Sequence, residues 1–167
     1  MMYHIEGIEN EEYVKFIQYA LDTSDYFMLV YSRKKQEGFK KSMKIIKKDL
    51  HKLKVKSQFR FYWAGTEVCP DNHWEYQVSF YRAEESALQS LLSVNSLFEW
   101  DWPSHPQDLS FYRSDQCWFY SVSHERMAIV VMHTPQEVEF FQQLNLIDAK
   151  EDYVDSDWII EEEWLKT

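Results

Sequence analysis

Glycine is almost absent: the chain holds only Gly7, Gly38 and Gly65. Loops that cradle phosphate need several glycines close together, because the backbone must approach the ligand with no side chain in the way. These three lie far apart, which excludes a Walker loop, a dinucleotide fingerprint, a kinase glycine loop and the G-x-S-x-G nucleophile elbow. Cysteine is as scarce. Cys69 and Cys117 have no partners at zinc-like spacing, and a single bridge is no disulfide framework. Both thiols are expected to be reduced and buried as small hydrophobes. Long apolar runs are missing too. The longest, Tyr26 to Tyr31 and Met127 to Met132, have six residues each, against about 20 for a membrane span. Met1-Met2-Tyr3-His4-Ile5-Glu6 has neither the basic region nor the apolar core of a secretory signal. The expectation is one cytoplasmic domain that contacts no membrane.

What the chain does have is aromatics, 17% of its 167 residues, and a net charge of −10 that is unevenly spread. Residues 33 to 60 hold 12 of the 18 basic side chains and only two acids, Glu37 and Asp49, so this stretch is +10. The remainder carries 26 acids against six bases, or −20. Within the basic stretch Phe39, Met43, Ile46, Leu50 and Leu53 are spaced 4, 3, 4 and 3. That spacing predicts an amphipathic helix near 35–54, with lysines on its remaining faces. The C-terminal segment from Asp148 is densely acidic but keeps Tyr153, Val154, Trp158, Ile159, Ile160, Trp164 and Leu165. It is too apolar for a disordered tail, and a docked acidic helix near 156–166 is expected.

Elsewhere the pattern alternates between helix and strand periods. Asn10-Glu11-Glu12 predicts a helix start, with Val14, Ile17 and Leu21 on the apolar face and Tyr13, Phe16 and Ala20 beside it. Tyr26 to Ser32 reads as a buried strand. Phe59, Phe61 and Trp63, then Tyr76, Val78 and Phe80, alternate as two strands of a hairpin. Leu109–Arg113, Cys117–Val122 and Met127–His133 read as three more. Thr134-Pro135-Gln136-Glu137 is a capping box with proline at the first helical position. Ser79-Phe80-Tyr81-Arg82 recurs as Ser110-Phe111-Tyr112-Arg113, and coincidence in so aromatic a chain is the leading account. The sum is a single α+β domain (1–167), an antiparallel sheet of about five or six strands with helices packed mainly on one face.

Three groups carry candidate chemistry. Ser121, Ser123, His124 and Glu125 have the parts for a hydrolase, a hydroxyl beside an imidazole and a carboxylate. Adjacent strand residues point to opposite faces, so only a bend after Ser123 brings His124 and Glu125 together. Trp100 and Trp102 flank Asp101 in a proline-bounded loop. Tryptophans of this kind anchor binding hot spots, or else tuck under the loop and cap the core. The lysines Lys40, Lys41, Lys44, Lys47 and Lys48 suit a solvated helix face, an acidic docking surface or nucleic-acid phosphate. Cys69-x3-His73 with Asp71, and the scattered His105, His124 and His133, lack the spacing that makes a zinc site. No metal or cofactor is expected.

The pattern Pro103-x-x-Pro106-x-Asp108-Leu109-x-Phe111-Tyr112, then Trp118-x-x-Ser121-x-x-His124-Glu125, resembles small uncharacterised cytoplasmic proteins of Gram-positive bacteria and their phages. Trp63-Ala64-Gly65-Thr66 is similar to a W-P-G-T segment of the same group, with alanine where proline would stand. In size and acidic, aromatic character the chain also resembles toxin-immunity proteins. Neither likeness implies an activity or carries over a site residue.

The leading expectation is therefore a non-enzymatic binding protein of immunity or inhibitor type. Trp100, Asp101, Trp102, Asp155, Asp157 and Glu161 would face a basic protein partner such as a toxin. Nucleic-acid binding through the lysine helix and hydrolysis through the Ser/His/Glu cluster are the two alternatives.

Overall fold

Tyr26–Ser32 has no polar side chain before its last residue, so neither face of a strand built from it can be left to water. The fold places this strand deep in a sheet that is covered on both sides. The computed structural model describes residues 1–33, 40–155 and 159–166. Its first half runs β1 (Met2–Ile5), α1 (Asn10–Thr23), β2 (Tyr26–Ser32), α2 (Lys40–Asp49), β3 (Lys54–Phe59), β4 (Tyr62–Trp63), β5 (Thr66–Glu67) and β6 (Tyr76–Arg82). The second half runs α3 (Leu88–Leu91), β7 (Gln107–Arg113), β8 (Gln116–Val122), β9 (Met127–Val131), α4 (Pro135–Gln143), β10 (Tyr153–Val154) and β11 (Ile160–Glu161).

Among the described residues, nine strands form one antiparallel sheet in the order β10-β1-β9-β8-β7-β2-β6-β3, with β11 added to β8. The α+β class is as expected, but the sheet is larger than five or six strands. The difference lies in short pieces such as β1, β10 and β11, too brief to show a period of two. β11 fits because β9 pairs with β8 only from Phe119 onward, leaving Cys117 and Gln116 for Ile160 and Glu161.

Alternation along β2 divides the core. Phe27, Leu29 and Tyr31 enter one cluster, where α1 supplies Tyr13, Phe16, Ile17, Ala20 and Leu21. Met43 and Ile46 of α2, Leu91 of α3 and Phe141 of α4 join the same cluster, so the helices share that face. Val14 instead points to water. Met28 and Val30 enter the opposite cluster, roofed by Trp63 and Ala64 of the β4–β5 hairpin and by Leu165 near the C-terminus. Each large apolar side chain taken out of water this way contributes roughly 1.5–3 kcal/mol before the entropy of ordering is set against it.

The two expected helices differ at their C-terminal ends or in type. Among the described residues the basic helix runs Lys40–Asp49 and ends before the expected 54; a 3-10 turn follows at His51–Leu53, and Lys54 already begins β3. Residues 34–39, including Phe39, lie outside the described residues. Met43, Ile46, Leu50 and Leu53 are buried as their spacing requires. Lys54, expected as the last residue of the helix, instead opens a sheet-edge strand, and an edge tolerates charge on both faces. The acidic C-terminal helix near 156–166 is replaced by β11 and a 3-10 turn at Glu163–Leu165; residues 156–158 and 167 lie outside the described residues. The short repeat occupies β6 and β7, the two neighbours of β2. Phe27 pairs with Tyr81 on one side and Phe111 on the other, so Phe80 and Phe111 face opposite clusters.

Candidate functional site

The Ser/His/Glu group sits where β8 turns into β9. A 3-10 turn, Ser123–Glu125, is closed by Arg126 in the left-handed region at φ 52°. The bend brings His124 Nε2 within 3.7 Å of Glu125 Oε1, with both side chains more than half exposed. The serines do not join them. Ser121 Oγ donates to the Leu109 carbonyl at 3.0 Å inside the sheet, and the buried Ser123 Oγ has no hydrogen-bond partner among the described residues. No hydroxyl is held by the imidazole, so the geometry does not assemble a nucleophile and its base.

The tryptophan loop is likewise structural at its first position. Trp100 is 0% exposed, and so cannot anchor a partner. Its indole N–H donates to the Tyr13 hydroxyl at 2.8 Å, which donates to the Leu91 carbonyl at 2.6 Å. Burial raises the Tyr13 pKa. Asp101 and Trp102 are half-buried, and burial raises the Asp101 carboxyl. His105 meets the Trp100 ring edge-on at 5.7 Å, and burial lowers its pKa. The hub of this end is Asp108, fully buried with φ 61°. Its Oδ2 accepts from Trp63 Nε1 at 2.8 Å and its Oδ1 from the Ser123 amide at 2.9 Å. Burial raises its pKa against the pull of those donors.

The acidic tail divides. Asp155 is exposed beyond β10, and Asp157 lies outside the described residues. Glu161 is occupied by Lys166 Nζ at 2.9 Å, and Glu162 is drawn inward by Arg60. Lys56 Nζ donates to the Trp164 carbonyl. The tail therefore meets the basic stretch through Arg60 and Lys56. In the lysine helix, Lys40 heads α2, and Lys41, Lys44 and Lys48 are exposed.

One concentration of acidic charge was not legible as a site in sequence. Two adjoining clefts, of about 420 and 480 Å³, share Glu6, Gly7, Asn145 and Leu146. Glu9 and Glu12 line the first, and Asp148, Glu151 and Asp152 the second; among the described residues no lysine, arginine or histidine lines either. β1 brings the two acidic segments together by pairing with β10, with the His4 amide donating to the Asp152 carbonyl at 2.8 Å. Asp148 caps its own turn, and the Lys150 and Glu151 amides hold its carboxyl below the usual range. The side chains of Glu6, Glu9, Glu12 and Glu151 make no hydrogen bond or ion pair among the described residues. Tyr153 stands at the rim, 48% exposed and edge-on to Tyr3. A bridge between Glu9 and Ser96 ties in the loop that leads to Asp101 and Trp102.

Among the described residues, no three His, Cys, Asp or Glu side chains gather to hold a metal ion, and no helix is long and apolar enough to cross a membrane. No known protein family, curated protein or solved structure matches this chain.

Proposed function

We propose that this chain is a non-enzymatic binding protein of inhibitor or immunity type that captures a basic protein partner at the sheet edge formed by β10 and β1. The observation that carries this is the pair of adjoining clefts with six lining carboxylates, from Glu6, Glu9, Glu12, Asp148, Glu151 and Asp152, and no lining cation. Crowded like charges oppose folding, and opposite charge on a partner relieves them. Asp155 and Tyr153 extend the surface past β10. The loop tied in at Ser96 leads on to Asp101 and Trp102, half-buried where Trp100 is fully buried. Concave acidic clefts suit lysine and arginine side chains, and a one-signed field speeds encounter with a basic surface.

The test is capture from the native cell with wild type, the triple variant Glu6→Lys, Glu9→Lys, Glu12→Lys, and Glu161→Lys as control. A protein rich in lysine and arginine held by wild type and by E161K, and released by the triple variant, is the expected result. Equal capture by all three overturns the reading.

A further inference from the structure

The opposite edge of the sheet carries the opposite charge. Lys41, Lys44, Lys47, Lys48, Lys52, Lys54 and Lys56 make no ion pair among the described residues. Lys54 and Lys56 have an ordinary explanation, since lysines on an edge strand deter unwanted strand pairing. The lysines of α2 do not: that helix is already docked through Met43 and Ile46, and its outer face has no edge to protect. Crowding is evident at Lys47, whose ammonium lies 4.7 Å over the Tyr31 ring and donates to Gln77 Oε1 at 3.0 Å. Partial burial, then Lys54 and Arg33, lower its pKa.

Exposed aromatics accompany the lysines. Phe59, at the end of β3, is 39% exposed, and Trp74, in the 3-10 turn before β6, is 54% exposed. Arg33 links them: its guanidinium lies 5.3 Å from the Phe59 ring, and its amide donates to the carbonyl of Glu75, next to Trp74, at 2.7 Å.

We propose that the face built from α2 and β3 binds single-stranded nucleic acid, the lysines following the phosphates while Phe59 and Trp74 stack on bases. A single strand fits better than a duplex because bases reach an aromatic ring only when unstacked from their own partners, and Phe59 and Trp74 are exposed beside the lysines. The acidic clefts are built around β1 and β10, at the other end of the strand order from β3. This site rests on different residues from the acidic surface, and either can fail alone.

Fluorescence anisotropy with a labelled oligodeoxythymidine of about 16 nucleotides tests it. Wild type is expected to bind, with affinity falling at least about tenfold between about 50 and 200 mM salt. Lys41→Glu, Lys44→Glu, Lys48→Glu together abolish binding, and Trp74→Ala weakens it about fivefold or more with the salt slope unchanged. The Glu6, Glu9, Glu12 triple variant binds the oligonucleotide as well as wild type does. These side chains are exposed except for the half-buried Glu12, and urea midpoints matching wild type show that the variants fold. No binding at the lower salt overturns the proposal. So does equal affinity for a duplex with no effect of Trp74→Ala, which marks a general polyanion patch. Equal displacement by polyglutamate does too, because it marks a surface for an acidic protein.

Discussion

Arg60 and Glu162, 102 positions apart, form a bidentate ion pair with both N–O distances at 2.9 Å and both side chains withdrawn from water. The guanidinium also lies 4.1 Å from the Trp164 ring. The pair fixes the C-terminal segment onto the sheet face opposite the helices. Removing one partner leaves the other charge buried and alone, so Arg60→Ala or Glu162→Ala is expected to destabilise by about 3–5 kcal/mol in urea unfolding. Arg60→Met with Glu162→Leu together are expected to recover most of that loss. Single variants within about 1 kcal/mol of wild type would mean that the pair behaves as an exposed one.

Asp108 gives a pH signature of defined sign. Its native carboxyl is held above the ordinary carboxylate value, burial outweighing the donors around it. The native state therefore takes this proton first as pH falls, and the group's contribution to stability grows on descending from the raised value to the ordinary one. Asp108→Asn cannot titrate, and it sets an amide N–H against one of the two donors, the Trp63 indole N–H or the Ser123 amide, at a cost of about 1–3 kcal/mol. The gap in urea midpoint between wild type and D108N is expected to widen as pH falls through that window. A constant or narrowing gap contradicts the assignment.

Gly65 is required by contact and by conformation. A Cβ there would lie 2.6 Å from two carbons of the Tyr120 ring and 2.9 Å from Val122, at φ +77°. Gly65→Ala is expected to lower stability by about 1–3 kcal/mol or more, through strain and overpacking together. A thermal melt at or above wild type would show that the β4–β5 hairpin moves freely on the sheet.

The two thiols differ in reactivity. The Cys117 thiol is buried and pushed up to about 12, whereas Cys69 is exposed, against the expectation that both are buried. An aromatic disulfide reagent at mildly alkaline pH is expected to titrate one thiol in the native protein and both in denaturant. Two fast native thiols would show that the β7–β8 region opens readily.

Legibility in the sequence followed the length and regularity of each signal. α1, β2, the three strands β7 to β9 and the Thr134–Glu137 cap were readable, because each shows a full period or a complete local motif. The cap is present as written, with the Thr134 side chain accepting from the Glu137 amide. Two-residue strands such as β10 have no period to read. β3 was hidden because alternate lysines on an exposed edge mimic the polar face of the helix before them. The acidic clefts were hidden for another reason. Glu6, Glu9 and Glu12 lie some 140 positions from Asp148, Glu151 and Asp152, and only the pairing of β1 with β10 unites them. Trp100 misled because its proline-bounded loop folds inward onto Tyr13.

The β1–β10 edge is proposed to steer a basic partner. The most direct measurement of this is the association rate with that partner against ionic strength, for wild type and the Glu6, Glu9, Glu12 triple lysine variant. The predicted result is a wild-type rate that falls at least about tenfold as salt rises, and a variant rate that is low and nearly flat. Identical rates and identical salt slopes for the two proteins would contradict it.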